Sequence, residues 1–117
     1  CLNKINLDFD LSINYQCEKC KKKGDVRVDV VWFGEQPKNL DLIYKYLERT
    51  DIFISIGTSN NVYPAAGFID FICNQQRRVE LIEFNIEKTN KSSLFQKSII
   101  GPASVTIEKF VREIIEN

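Results

Sequence analysis

The stretch from Asp51 to Gly67, DIFISIGTSNNVYPAAG, constrains the fold of this chain more than any other. Asp51 to Ile56 is an apolar, β-branched run too short for an ordinary helix, and Gly57 stops it. A strand buried in a parallel sheet has this composition. Thr58 and Ser59 then offer hydroxyls and backbone N–H groups at the strand's carboxyl end. Pro64 suits the first turn of a helix that continues through Ala65, Ala66, Phe68 and Phe71. Strand, polar loop and helix in that order are the minimal unit of a nucleotide-binding α/β sheet, and the carboxyl edge of such a sheet is where ligands bind. Taken alone, Gly-Thr-Ser is a weak signal, because most strand-to-helix loops carry small polar residues and bind nothing.

Composition bounds the classes that remain. A chain of 117 residues, 44% hydrophobic, supports one core and little surplus for a second. The formal net charge of zero provides no global field toward nucleic acid or a membrane surface. No apolar run approaches the roughly 18 residues of a spanning helix, and no stretch has the pattern of a signal peptide, so a soluble, cytoplasmic protein is expected. The chain lacks Met and begins at Cys1, as a chain starting inside a longer gene product would. It also lacks His, the commonest general base.

Cys17-x-x-Cys20 reads first as a metal knuckle. A two-residue gap lets both thiolates of a tight turn face one Zn²⁺, and soft sulfur ligands favour zinc over hard-oxygen metals. Fifteen residues separate Cys1 from Cys17, within the range of paired zinc knuckles, which makes three candidate ligands for a site that wants four. The alternative is a free CxxC in a surface loop. Cys73 reads as a small buried hydrophobe beside Phe68, Phe71 and Ile72 rather than the missing ligand. Lys19 and Lys21 to Lys23 form a solvated face, since no aromatic residues interleave with them as nucleic-acid binding would need.

Around these landmarks, residues 1–25 read as irregular and polar. Val26 to Phe33 alternates and then runs apolar like an extended segment, and Gly34-Glu35-Gln36-Pro37 ends it. Asn39 is positioned to cap a helix with Leu40, Ile43, Tyr44 and Leu47 on one face and Asp41 in its first turn. The Pro64 helix is expected to end near Asn74–Gln76. Val79 to Phe84 reads as a second buried strand, parallel to the first by a right-handed crossover. Gly57-Thr58-Ser59 and Asn85-Ile86-Glu87 therefore fall on one sheet edge. An acidic residue there is a familiar partner for ribose hydroxyls, although Glu87 alone reads as a solvated carboxylate. Ser98 to Ile100 and Gly101-Pro102-Ala103 follow. A last helix then has Val105, Ile107, Phe110, Val111, Ile114 and Ile115 on its inner side.

Val30-Val-Trp-Phe-Gly-Glu35, Gly57-Thr-Ser59, Val62-Tyr-Pro-Ala-Ala-Gly67, Asn85 and Gly101-Pro-Ala-Ser104, in this order and spacing, resemble the sirtuins, NAD-dependent protein lysine deacylases, and most of all their bacterial class III branch. The likeness spans nearly all of residues 17–115. It implies an α/β fold: the C-terminal part of a Rossmann-like parallel sheet with helices on both faces in residues 26–117, plus part of a small zinc-binding module in residues 1–25. It also implies roles for the matching residues. Gly57, Thr58 and Ser59 would contact the NAD ribose and phosphate, Asn85, Ile86 and Glu87 the adenosine side, and Ala103 the adenine. Val31 and Phe33 would line the acyl-lysine tunnel. An acylated peptide would lie as an added strand between Phe33-Gly34-Glu35 and Val62-Tyr63. Cys1, Cys17 and Cys20 match zinc cysteines.

Two departures accompany the likeness. Arg27-Val28-Asp29 stands where the family often has Arg-Pro-His, altering the entry to the extended segment. The family's Gly-Ala-Gly-x-Ser loop, its Gln-Asn-x-Asp motif and its catalytic His-Gly belong upstream of Cys1. The implied partners are therefore acyl-lysine proteins or peptides and the rest of a sirtuin chain upstream. This chain alone is expected to be inactive. The alternatives are a non-catalytic NAD- or peptide-binding module and, disfavoured by the zero net charge, a zinc-ribbon nucleic-acid binder.

Overall fold

The computed structural model describes residues 1–116. They fall into two compact units, Cys1–Gln36 and the remainder from Pro37 onward.

The first unit has no helix or ladder of strands among its described residues, as its polar, Asn- and Asp-interrupted sequence leads one to expect. Its order comes from a tight turn around the Cys-x-x-Cys motif. Lys21 N–H donates to the Cys17 carbonyl at 2.8 Å and Cys17 N–H to the Lys22 carbonyl at 2.9 Å, with an antiparallel bridge between Gln16 and Lys23. Val26 to Phe33 belongs to no strand and leaves Val28, Val30, Trp32 and Phe33 exposed. Its alternation therefore has no sheet to match within this unit.

The second unit is a three-layer α/β arrangement. Its elements are α1 (Leu40–Leu47), β1 (Ile52–Ile56), α2 (Ala66–Cys73), β2 (Glu80–Asn85), a short 3₁₀ turn (Ser92–Leu94), β3 (Lys97–Ile100) and α3 (Ala103–Ile115). The three strands are parallel in the order β1-β2-β3, with Ile54 opposite Ile82 and Phe84 opposite Ile99. Because successive strand residues point to opposite faces, Phe53 and Leu81 turn to one side and Ile82 and Phe84 to the other. On the first side they meet Leu47, Ile69 and Ile72 of α1 and α2, together with Val79 and Phe95, and Tyr44 packs edge-on against Phe68 and Phe71. On the other, Phe84 packs edge-on against Phe110 of α3, ring centroids 5.2 Å apart. Helices thus cover both faces of a Rossmann-like sheet.

Several local expectations change. The central strand is β2, buried from Leu81 to Phe84; β1 forms an edge among the described residues, and Ile52, Ile54 and Ile56 are 56%, 44% and 51% exposed. An apolar run signals burial on both faces but not which neighbours provide it. Asn39 precedes α1 in a left-handed conformation (φ 59°) and makes no side-chain cap; its carbonyl instead accepts from Ile43 N–H at 2.9 Å. Pro64 lies before α2 rather than in its first turn, in a turn closed by Ala66 N–H donating to the Val62 carbonyl at 2.9 Å. Cys73, expected to be a buried hydrophobe, is exposed at the last position of α2, because Ile69 and Ile72 take the inward stripe. No residue of α3 is fully buried. Ile107 and Phe110 are half-buried, while Val105, Val111, Ile114 and Ile115 are exposed. A helical stripe needs a surface wide enough to receive it, and β2 receives only its centre.

Candidate functional site

The carboxyl ends of β1 and β2 set the site. Gly57 leaves β1 with φ 60°, a left-handed conformation that glycine adopts at no steric cost, and its N–H donates to the Phe84 carbonyl at 2.9 Å. That bond pins the loop's first residue to the central strand. Asn85 finishes β2. Its Nδ2 donates to the Thr58 carbonyl at 2.7 Å, its Oδ1 accepts from Ile86 N–H at 2.9 Å, and its own carbonyl accepts from Gly101 N–H at 2.8 Å. One asparagine therefore holds all three loops at this edge.

Between the loops lies a cavity of about 320 Å³, lined by Gly57, Thr58, Ser59, Asn61, Asn85, Glu87, Lys88, Thr89 and Asn90. Five of the seven residues expected on the cofactor side converge there. Ile86 is 72% exposed and lies outside the lining, as does Ala103 at the start of α3. The lining offers hydroxyls from Thr58, Ser59 and Thr89, one carboxylate from Glu87 and one ammonium from Lys88. Such a set can hydrogen-bond sugar hydroxyls and place a cation near an anionic group.

Sequence reasoning missed what lies behind this cavity. Ser55, Glu83 and Ser98 stand directly opposite one another in β1, β2 and β3 and form a polar row across an otherwise apolar sheet. Glu83 is fully buried. One carboxylate oxygen accepts from Asn60 Nδ2 at 3.2 Å and Thr89 Oγ1 at 3.0 Å, the other from Ser92 Oγ at 2.6 Å and Ser98 Oγ at 2.9 Å. The signal was available: Ser55 and Glu83 interrupt their apolar runs and Ser98 begins the third.

Of the residues expected on the substrate side, Phe33, Gly34 and Glu35 lie in one turn of the first unit, with Val31 just before it; Glu35 N–H donates to the Trp32 carbonyl at 3.0 Å and Gly34 has φ 85°. The Glu35 carboxylate accepts from Trp32 N–H at 3.2 Å and from Arg27 Nη2 at 2.8 Å. The Arg27 guanidinium also stacks 5.5 Å from the Trp32 ring, and its pKa is raised chiefly by the Glu35 hydrogen bond. Val62 and Tyr63 belong to the second unit, in the exposed turn before α2, where Lys91 Nζ lies 5.7 Å from the Tyr63 ring.

The metal candidates form a cluster. The sulfurs of Cys1, Cys17 and Cys20 all lie within 4.8 Å of one another, and Cys1 Sγ is 3.7 Å from Cys17 Sγ. A tetrahedral zinc with Zn–S bonds of about 2.3 Å separates its sulfurs by about 3.8 Å, whereas a disulfide would bring them to about 2.0 Å. The donor set therefore fits zinc, with three thiols of the four a structural site uses. Amide N–H groups of Cys20 and then Lys19 point at the Cys17 sulfur and lower its pKa, favouring the thiolate a metal needs.

The model of the Sir2 family matches residues 2–64. The chain belongs to the Sir2 family. Among similar Sir2 proteins, an NAD-dependent protein deacylase of Bdellovibrio bacteriovorus is 43% identical over 108 residues, covering 92% of this chain and 44% of that protein. One of Leishmania major is 41% identical over 101 residues, covering 86% and 41%. This chain thus spans less than half the length of these curated Sir2 relatives. A solved Sir2 homologue in complex with NAD superposes with a TM-score of 0.86 at 32% identity, covering 99% of this chain and 45% of that one. A Sir2 protein bound to a myristoylated histone peptide superposes at 0.70 with 30% identity, covering 88% and 43%.

Proposed function

We propose that this chain is the C-terminal part of an NAD-dependent protein lysine deacylase, which removes acyl groups from lysine and releases nicotinamide and O-acyl-ADP-ribose. One observation carries the proposal: Gly57-Thr58-Ser59, Asn85 and Glu87 converge on a single cavity at the carboxyl edge of a parallel sheet. NAD supplies the ribosyl acceptor and the nicotinamide leaving group. The chain's own residues bind and orient. Thr58 and Ser59 present hydroxyls to ribose and phosphate, the Glu87 carboxylate accepts from sugar hydroxyls, and Asn85, whose side chain is already engaged with Thr58 and Ile86, holds the loop that does the binding. Ile86 and Ala103 take the adenosine side. Val31, Phe33, Gly34 and Glu35, with Val62 and Tyr63, engage the acyl-lysine peptide through its main chain. Cys1, Cys17 and Cys20 hold a structural zinc.

The base is a histidine in sequence upstream of Cys1, since the chain contains no His. The 117 residues alone then turn over no substrate. The test is nicotinamide release from NAD with an acylated peptide by the full-length gene product. NAD consumption that depends on the acyl group is expected, and a product with an upstream His-Gly that consumes no NAD would refute the proposal. Deacylation by the isolated chain would refute the placement of the base. The same lack of histidine favours a second reading, a non-catalytic NAD- or peptide-binding module, which predicts NAD binding by calorimetry without turnover in the full-length product.

A further inference from the structure

We propose that Glu83 is a positioning residue that shapes the cofactor cavity by clamping the 57–61 and 88–92 loops to the same point of the sheet. This rests on the deacylase reading for its consequence, but on geometry alone for the clamp. Burying a carboxylate without a cation is costly, and here its four polar contacts come from donors on three different segments. Asn60 belongs to the loop after β1, Thr89 and Ser92 to the loop after β2, and Ser98 to β3. Each loop is reached through the residue best placed to set its shape. Asn60 is buried in a left-handed conformation (φ 56°), accepts from Ser55 Oγ at 3.2 Å, and donates its own N–H to Thr58 Oγ1 at 3.2 Å. Thr89 Oγ1 accepts from Lys91 N–H at 3.3 Å, and Thr89 N–H donates to Ser92 Oγ at 2.8 Å. Thr58 and Thr89 both line the cavity, so Glu83 stands two hydrogen bonds behind one wall and one behind the other. Glu83 itself is fully buried and lines no part of it. Its effect on NAD is therefore exerted through the loops.

The experiment compares Glu83→Gln and Glu83→Leu in the full-length gene product with Ile72→Val, a core substitution that lines no part of the cavity. Glutamine keeps one acceptor oxygen and a leucine none. The KM for NAD should rise about tenfold in Glu83→Gln, which neutralises the acceptor and replaces an oxygen that takes two donors, and further in Glu83→Leu. The KM for the acylated peptide and kcat should stay within about twofold of the parent, as one loop-borne site is loosened and no reacting group is touched. Amide hydrogen exchange without NAD provides the second readout. Thr58–Asn61 and Lys88–Ser92 should lose protection together in Glu83→Gln and keep it in Ile72→Val. Unchanged protection, loss in one loop only, or a KM for NAD equal to that of Ile72→Val overturns the proposal. If the parent consumes no NAD, the deacylase reading fails while hydrogen exchange still decides the clamp.

Discussion

Phe84 is where the sheet, α3 and the loop after β1 meet, and replacing it tests the packing that holds them together. Its side chain is 1% exposed and packs edge-on against Phe110 at 5.2 Å and 72°, while its carbonyl holds Gly57 N–H. Phe84→Ala removes a fully buried aromatic and leaves a cavity, which costs about 3–5 kcal/mol. Against a total stability of about 5–15 kcal/mol for a single domain, that is a large share. Phe110 is only half-buried, so Phe110→Ala should cost about 1–2 kcal/mol by the area it covers. If the edge-to-face geometry contributes beyond area, the double variant will be less destabilised than the sum by about 0.5–1.5 kcal/mol. Urea unfolding of the four proteins, followed by far-ultraviolet dichroism, which reports the helices and strands of the second unit, supplies the numbers. A cost for Phe84→Ala below about 1 kcal/mol, or strict additivity with Phe110→Ala, would refute this account of how α3 is held to the sheet.

Gly57→Ala places a Cβ where no atom lies within 4 Å but forces a left-handed backbone on alanine, so it should cost about 1–2 kcal/mol through conformation alone, measured by the same unfolding assay. Zinc should bind at one ion per chain, and Cys17→Ser should abolish it; metal analysis after dialysis against a chelator checks both, and full retention by the variant would exclude the thiol cluster. Lys91 pairs with Asp70, and its pKa is raised above the ordinary 10.5, with the Asp70 hydrogen bond the leading cause. A raised pKa contributes stability that is fully present below pH 10.5 and lost as pH climbs through the folded-state value. Lys91→Met should therefore be less stable than the parent at neutral pH, with the gap closing in alkaline solution; a gap that widens there would contradict the sign.

Much of this was legible in the chain because the signals are local. The apolar runs Asp51–Ile56, Val79–Phe84 and Ser98–Ile100 became strands within a residue or two, since a glycine or a polar turn stops each wherever the chain lies, whereas Val26–Phe33 joined no sheet. Cys17-x-x-Cys20 formed the tight turn its spacing requires. Asn39 shows the limit: the residue type suits a cap, but its left-handed backbone puts the side chain to no such use. Pro64 shows the same limit, since a proline marks a helix entrance without fixing the turn that leads into it.

The order of strand, polar loop and helix, the parallel direction of the strands and the gathering of Gly57-Thr58-Ser59 with Asn85 and Glu87 at one edge were determined by the sequence alone, because periodicity, turn chemistry and crossover handedness act within one unit of the chain. Register was not. Only the tertiary structure aligned Ser55, Glu83 and Ser98 in one row, made β2 rather than β1 the central strand, and limited the burial of α3 to its middle. Those outcomes depend on which residues lie opposite one another across distant segments, and pairing across space leaves no trace in local pattern. The loop at Gly57 illustrates both: its sequence marks a ligand edge, and a buried glutamate far along the chain holds its shape.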